Sequence, residues 1–133
     1  MMPPSARNSA KPRPIYLNLL QIRLPLPGIV SILHRISGAL LFVLGIPILL
    51  YGVERSLASP ESFAALKASM AHPLVKLVLI GLVWGYLHHF CAGIRYLLID
   101  VHVGDDLRPA RQSSIAVLIV SLALTLIVAV RLW

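Results

Sequence analysis

The sequence predicts an all-α membrane protein built on three transmembrane helices, and three observations carry that prediction. Of its 133 residues, 58% are hydrophobic and only 13% are charged, against about 25% charged residues in an ordinary soluble domain. The mean hydropathy is +0.84. Three stretches, Ile36 to Val53, Leu77 to Ile94 and Gln112 to Val130, contain no Lys, Arg, Asp or Glu and run 18, 18 and 19 residues. About 20 residues at 1.5 Å each cross the hydrocarbon, and flanking residues carry each helix into the headgroups.

The elements follow in order. Residues 1–27 form a basic, proline-broken cytoplasmic segment, and residues 28–133 form the three-helix anchor domain. Pro25 and Pro27 exclude a regular helix just before Gly28, so the first helix is expected over about 28–53, with Pro47 bending it and Tyr51 at the interface. Ser59-Pro60-Glu61 reads as a helix start, with a cap, a first-turn proline and an acid against the dipole. Phe63, Leu66 and Met70 recur behind it at helical spacing, as in a short helix lying on the outer surface. Pro73 opens the second helix, expected over 73–100, and a short loop over 101–110 leads to the third, expected over 111–131 before Trp133.

Charge sets the orientation. With the N-terminus inside, Arg7, Lys11, Arg13, Arg23, Arg35, Arg95, Arg108 and Arg111 flank the cytoplasmic ends, and Arg55, Lys67, Lys76 and Arg131 flank the others. Eight against four places the N-terminus in the cytoplasm and the C-terminus outside. The net charge of +7 is spread along these flanks rather than gathered on one face, which argues against nucleic acid as a partner. The first apolar run is too long, and too far from the N-terminus, for a cleavable signal. Prolines in the basic tail spoil a mitochondrial presequence, so a bacterial inner membrane is preferred over a mitochondrial one. A single cysteine, Cys91, forbids an internal disulfide.

Two histidines inside apolar stretches carry the chemistry, because an ionisable group in a bilayer needs a partner or a task. Ser31, His34, Arg35 and Gly38 stand at i, i+3, i+4 and i+7, on one helix face. The bland alternative is an Arg35 that snorkels to the headgroups beside a serine bonded to its own helix. On the second helix Gly81, Gly85, His89 and Gly93 stand four apart. Glycines on both sides of His89 clear room for a macrocycle whose iron the imidazole reaches. The alternative is that Gly81 and Gly85 merely admit another helix. His34, Arg35, Arg95 and Tyr96 fall near one membrane face, with His89 about 10 Å deeper, where they could pair with the propionates of such a group.

The segments Arg13-Pro14-Ile-Tyr16-Leu-Asn18, Arg23-Leu-Pro25, Ser31-Ile-Leu-His34-Arg35-Ile-Ser37-Gly38 and His89-x-x-x-Gly93-Ile-Arg95, followed by Asp100, resemble the cytochrome b subunit of succinate dehydrogenase, respiratory complex II. The resemblance spans most of residues 13–100. It implies a haem-binding helix bundle shared with a second membrane-anchor subunit, one haem b, and ubiquinone as substrate. His89, not His88, takes the place of the axial iron ligand. Ser31 and Arg35 take the quinone-pocket positions, Ser31 bonding a quinone carbonyl and Arg35 favouring negative charge on the quinone. His34 falls near the propionates, as do Arg35, Arg95 and Tyr96, with Gly85 and Gly93 as haem contacts. Many members carry a histidine where this chain has Tyr96, which can donate one hydrogen bond but cannot be cationic.

The resemblance further implies a complex with a flavoprotein and an iron–sulfur subunit, whose role in electron transport and the tricarboxylic acid cycle this chain serves without acting on succinate itself. No Gly-x-Gly-x-x-Gly is present for a flavin, and one cysteine cannot hold an iron–sulfur cluster. No catalytic residue is therefore assigned, and the cytoplasmic tail with Arg13, Asn18 and Arg23 is expected to meet the iron–sulfur subunit. His88 is expected to pack against the partner anchor or a second hydrogen bond, and Cys91, His72 and His102 are read as structural. Two alternatives are an anchor of a fumarate reductase and a proton-relay transporter subunit. The second suffers from the lack of any Asp or Glu in the three stretches.

Overall fold

The computed structural model describes residues 22–133, so the expectations for Arg13 and Asn18 lie outside the described residues. Three helical spans, Leu26–Ala58, Pro73–Asp100 and Leu107–Leu132, are long and apolar enough to cross a membrane. The first comprises α1 (Leu26–Leu40), a π turn (Leu41–Gly45) and α2 (Ile46–Ala58), and is followed by α3 (Pro60–Met70), α4 (Pro73–Asp100) and α5 (Leu107–Leu132).

Helix α1 starts at Leu26 rather than Gly28. Pro25 stands at the cap with extended backbone and Pro27 falls in the first turn, where the missing amide would have had no intrahelical acceptor. The Pro25 carbonyl accepts from Gly28 and Ile29 at 2.8 and 3.2 Å. Further on, Pro47 cannot donate to the carbonyl of Val43 and its ring crowds that oxygen. The disturbance is taken up just upstream, where the ladder widens and the amide of Ile46 reaches back to the carbonyl of Leu41.

Helix α3 begins as expected, with Ser59 Oγ accepting from the amide of Ser62 at 3.1 Å. His72 caps α4 in the same manner, its Nδ1 accepting from the amide of Leu74 at 3.3 Å. The turn between α4 and α5 uses left-handed backbone at His102 (φ 60°) and Gly104 (φ 78°), and His102 Nδ1 lies 3.2 Å from Asp105 Oδ2. Helix α5 begins at Leu107 rather than 111 because Pro109 fits within its first turn.

Helix α4 is central, packing on α5 along one side and α1 along another, while α2 turns to α3 instead. Val30, Ala92 and Val117 form the small buried core. Most of the apolar surface faces outward, with Phe42 73% and Leu57 80% exposed, which the bilayer rather than the protein must cover. Helix α5 buries Ser114, Val117, Ser121 and Thr125 against the bundle it forms with α4 and α1. The three hydroxyls are satisfied by carbonyls of their own helix at 2.7, 3.2 and 2.7 Å, so small polar side chains bring the backbones together with no unpaired group.

Candidate functional site

Where α1 crosses α4, the rings of His34 and His89 stack with centroids 4.1 Å apart and planes 7° from parallel. Each ring lies over a glycine of the opposite helix. A Cβ at Gly38 would stand 2.7 Å from His89 Cε1, and one at Gly93 would stand 3.8 Å from His34 Nε2. The first contact means that a side chain at position 38 would have to displace the His89 ring. Gly38 on α1 and Gly93 on α4 are thus what let the two imidazoles reach one another.

The hydrogen bonds of His89 fix its tautomer. Its Nδ1 lies 3.0 Å from the backbone carbonyl of His34, an oxygen that can only accept, so Nδ1 donates and, in the neutral imidazole, Nε2 is left with a bare lone pair. Ser37, buried one turn from His34, donates to the same carbonyl at 2.9 Å and lies 3.4 Å from Nδ1. A backbone carbonyl that orients one ring nitrogen while the other stays free is the usual setting of a metal-binding imidazole.

Tyr96 completes the cluster. Its ring centroid is 5.1 Å from that of His34, and its hydroxyl is buried with no protein partner. His89, Gly93 and Tyr96 follow one face of α4. His88, Ala92 and Arg95 follow another and are buried.

Arg95 therefore turns toward α5, where Nε donates to Ser113 Oγ at 2.9 Å and Nη2 to the Ala110 carbonyl at 3.3 Å. It touches the histidine cluster only through Tyr96, over whose ring its Cζ lies at 5.2 Å. His88 is fully buried, its ring 5.5 Å from that of Trp84, and neither of its nitrogens has a partner.

Ser31 and Arg35 form a separate pair near the start of α1, Arg35 Nη2 donating to Ser31 Oγ at 3.3 Å. The hydroxyl hydrogen of Ser31 then remains available to an incoming acceptor, and the adjacent cation strengthens it as a donor. Gly85 lines an apolar groove of about 330 Å³ between the first span and α4, together with Ser37, Leu41, Leu44, Gly81 and Trp84. Neither Gly81 nor Gly85 has a neighbour within 4 Å of a Cβ position, so this wall is open beside His89.

Ser37 and Ser113 have no role in the sequence reading. Ser37 had a signal, since it stands three residues after His34 and could bond that carbonyl. Ser113 had none, because its partner Arg95 lies on another helix.

The profile of the family described as "Succinate dehydrogenase/Fumarate reductase transmembrane subunit" matches residues 9–128. The succinate dehydrogenase cytochrome b556 subunit of Coxiella burnetii (strain RSA 493 / Nine Mile phase I) is 35% identical over 122 residues, which cover 91% of this chain and 97% of that protein. The protein of the same description from Paracoccus denitrificans is 35% identical over 119 residues, covering 87% of this chain and 91% of its own length.

Proposed function

This chain belongs to the transmembrane-subunit family of succinate dehydrogenases and fumarate reductases, and from that premise we propose that it is a cytochrome b anchor of succinate:ubiquinone oxidoreductase. It binds one haem b through His89, shares that haem with a second anchor subunit, and helps form the ubiquinone-reduction site. Its complex includes a flavoprotein and an iron–sulfur subunit and lies in a bacterial inner membrane.

The observation that carries this reading is the bond from His89 Nδ1 to the His34 carbonyl, which leaves Nε2 free to ligate iron. His88, though adjacent, lies on the buried face of α4 and its ring packs against Trp84 rather than beside Gly93. Among the described residues no cluster of three His, Cys, Asp or Glu side chains is placed to hold a bare metal ion. One imidazole suits a metal that brings its remaining donors in a macrocycle. The open wall at Gly85 and Gly81, one and two turns before His89, leaves space on that side of the helix, while the space over Gly93 is taken by the His34 ring.

The haem, when bound, supplies a one-electron redox centre. The chain's own residues orient and neutralise. His34, the unpartnered hydroxyl of Tyr96 and the Arg35 guanidinium would hold the haem propionates, and Arg95 holds Tyr96 from behind. Ser31 donates a hydrogen bond to a quinone carbonyl, and Arg35 favours the negative charge that gathers on the quinone as it is reduced.

The test is the dithionite-reduced minus oxidised spectrum of the purified complex. The b-type bands are expected to vanish or shift strongly in His89→Leu, and unchanged bands would overturn the assignment.

A further inference from the structure

At the end of the bundle where α2, α3 and α4 meet, an apolar trench of about 450 Å³ runs between Ile48, Gly52, Leu66, Met70, Val75 and Leu79. A smaller polar niche of about 160 Å³ adjoins it, lined by Tyr51, Arg55, Ser62 and Ser69. Tyr51, Leu66 and Ser69 line both, so the two are one amphipathic space. Arg55 donates from Nε to the Tyr51 hydroxyl at 3.2 Å and lies 5.5 Å over that ring. This contact aims the guanidinium without neutralising it, and the neighbouring Glu54 acts on it through space without forming an ion pair. Ser62 Oγ is buried and has no partner.

We propose that this space binds a membrane phospholipid, with an acyl chain in the trench and the headgroup phosphate at Arg55 and Ser62. The depth is right. Glu54 and Arg55 follow directly on Val53, where the charge-free stretch of the first span ends, which puts the guanidinium at headgroup level and the trench beside Ile48 and Leu79 in the hydrocarbon. The planar fork of an arginine matches phosphate geometry, and a neighbouring hydroxyl supplies a further donor. Two rival occupants each satisfy half of the space. An apolar helix of a partner subunit fills the trench and leaves Arg55 and Ser62 unpaired, and free phosphate pairs with them and leaves the trench exposed.

Native mass spectrometry of the intact complex, extracted in a mild non-ionic detergent, counts the phospholipids that remain bound. Gly52→Phe enters the trench from a position where an added Cβ meets nothing within 4 Å, and an unchanged b-type spectrum and subunit content check that the complex stays assembled. This variant should carry one phospholipid fewer per copy than the unmodified complex. Arg55→Gln should bind added palmitoyl-oleoyl phosphatidylglycerol about tenfold more weakly, and Arg55→Lys should recover part of the loss. Equal phospholipid counts in all four proteins would overturn the proposal. So would displacement of the bound phospholipid by inorganic phosphate alone, equally in the unmodified and Gly52→Phe complexes, or efficient cross-linking of Gly52→Cys to another subunit in native membranes.

Discussion

The imidazole of His89 occupies the space that a side chain at Gly38 would fill. A Cβ there would lie 2.7 Å from Cε1 and 3.2 Å from Nδ1, closer than real carbon contacts allow. The ring cannot swing aside freely, because Nδ1 is held by the carbonyl of His34. Backbone and ring thus fix one another across two helices, and the position of the proposed ligand depends on a residue with no chemistry of its own.

Gly38→Ala should therefore act as a cofactor mutation. Overpacking at a fixed ring costs about 1–3 kcal/mol, enough to stretch the contact between Nδ1 and the carbonyl. Haem per complex, measured as the pyridine haemochromogen, should fall clearly below that of Gly28→Ala. At position 28 an added Cβ meets only ordinary contacts of 3.7 Å and beyond. Equal haem in the two variants would show that the Gly38 contact does not govern binding.

Ser31→Ala and Arg35→Leu should separate the quinone site from the rest of the complex. Losing a hydrogen bond to a developing charge costs about 1.5–3 kcal/mol, or roughly 10- to 100-fold in rate. Succinate-driven ubiquinone reduction should drop by that factor while reduction of an artificial dye persists, since the dye takes electrons before they reach the membrane. A parallel fall in both assays would assign the pair to assembly.

Arg95→Met should loosen α5 from α4. Two donors to Ser113 and Ala110 disappear, yet Ser113 keeps its own bond to the Ala110 carbonyl at 3.1 Å and no acceptor is stranded. The expected loss is about 1–3 kcal/mol, read as a lower melting temperature of the detergent-solubilised complex. The reduced bands should shift little, because Arg95 reaches the histidine pair only through Tyr96.

His88→Leu should contrast sharply with His89→Leu. Both ring nitrogens of His88 are buried, with only a weak contact to the Val30 backbone, so removing them eliminates a desolvation cost larger than the bond lost. Stability is expected to hold within about 1.5 kcal/mol and the b-type spectrum to persist. Loss of the bands in His88→Leu, with retention in His89→Leu, would reverse the two roles.

The three spans were legible in the sequence because charge-free length depends on no neighbour. The helix starts at Pro60 and Pro73 were legible too, since a cap and a first-turn proline act within a few residues. What needed a second helix could not be read. Helical phase placed His89, Gly93 and Tyr96 on one face, but it could not say that Arg95, on the other, turns to Ser113 and Ala110 of α5. Gly38 was visible as a gap in a polar face, whereas the ring that fills the gap comes from α4. Pro47 announced a disturbance in the first span, and only the backbone shows that it takes the form of a widened turn rather than a simple bend.

That widened turn divides one helix into two mechanical units. Before Leu41 the first span packs on α4 and α5, and after Gly45 it packs on α3. Regular α-helix would lock the azimuth of both halves together. One π turn displaces them by about a residue, near 100° of rotation, so each half can satisfy its own neighbours. Substitutions in the two halves should then combine almost additively. A double-mutant cycle of Gly38→Ala with Gly52→Phe is expected to show coupling near zero, although both residues lie on one unbroken span.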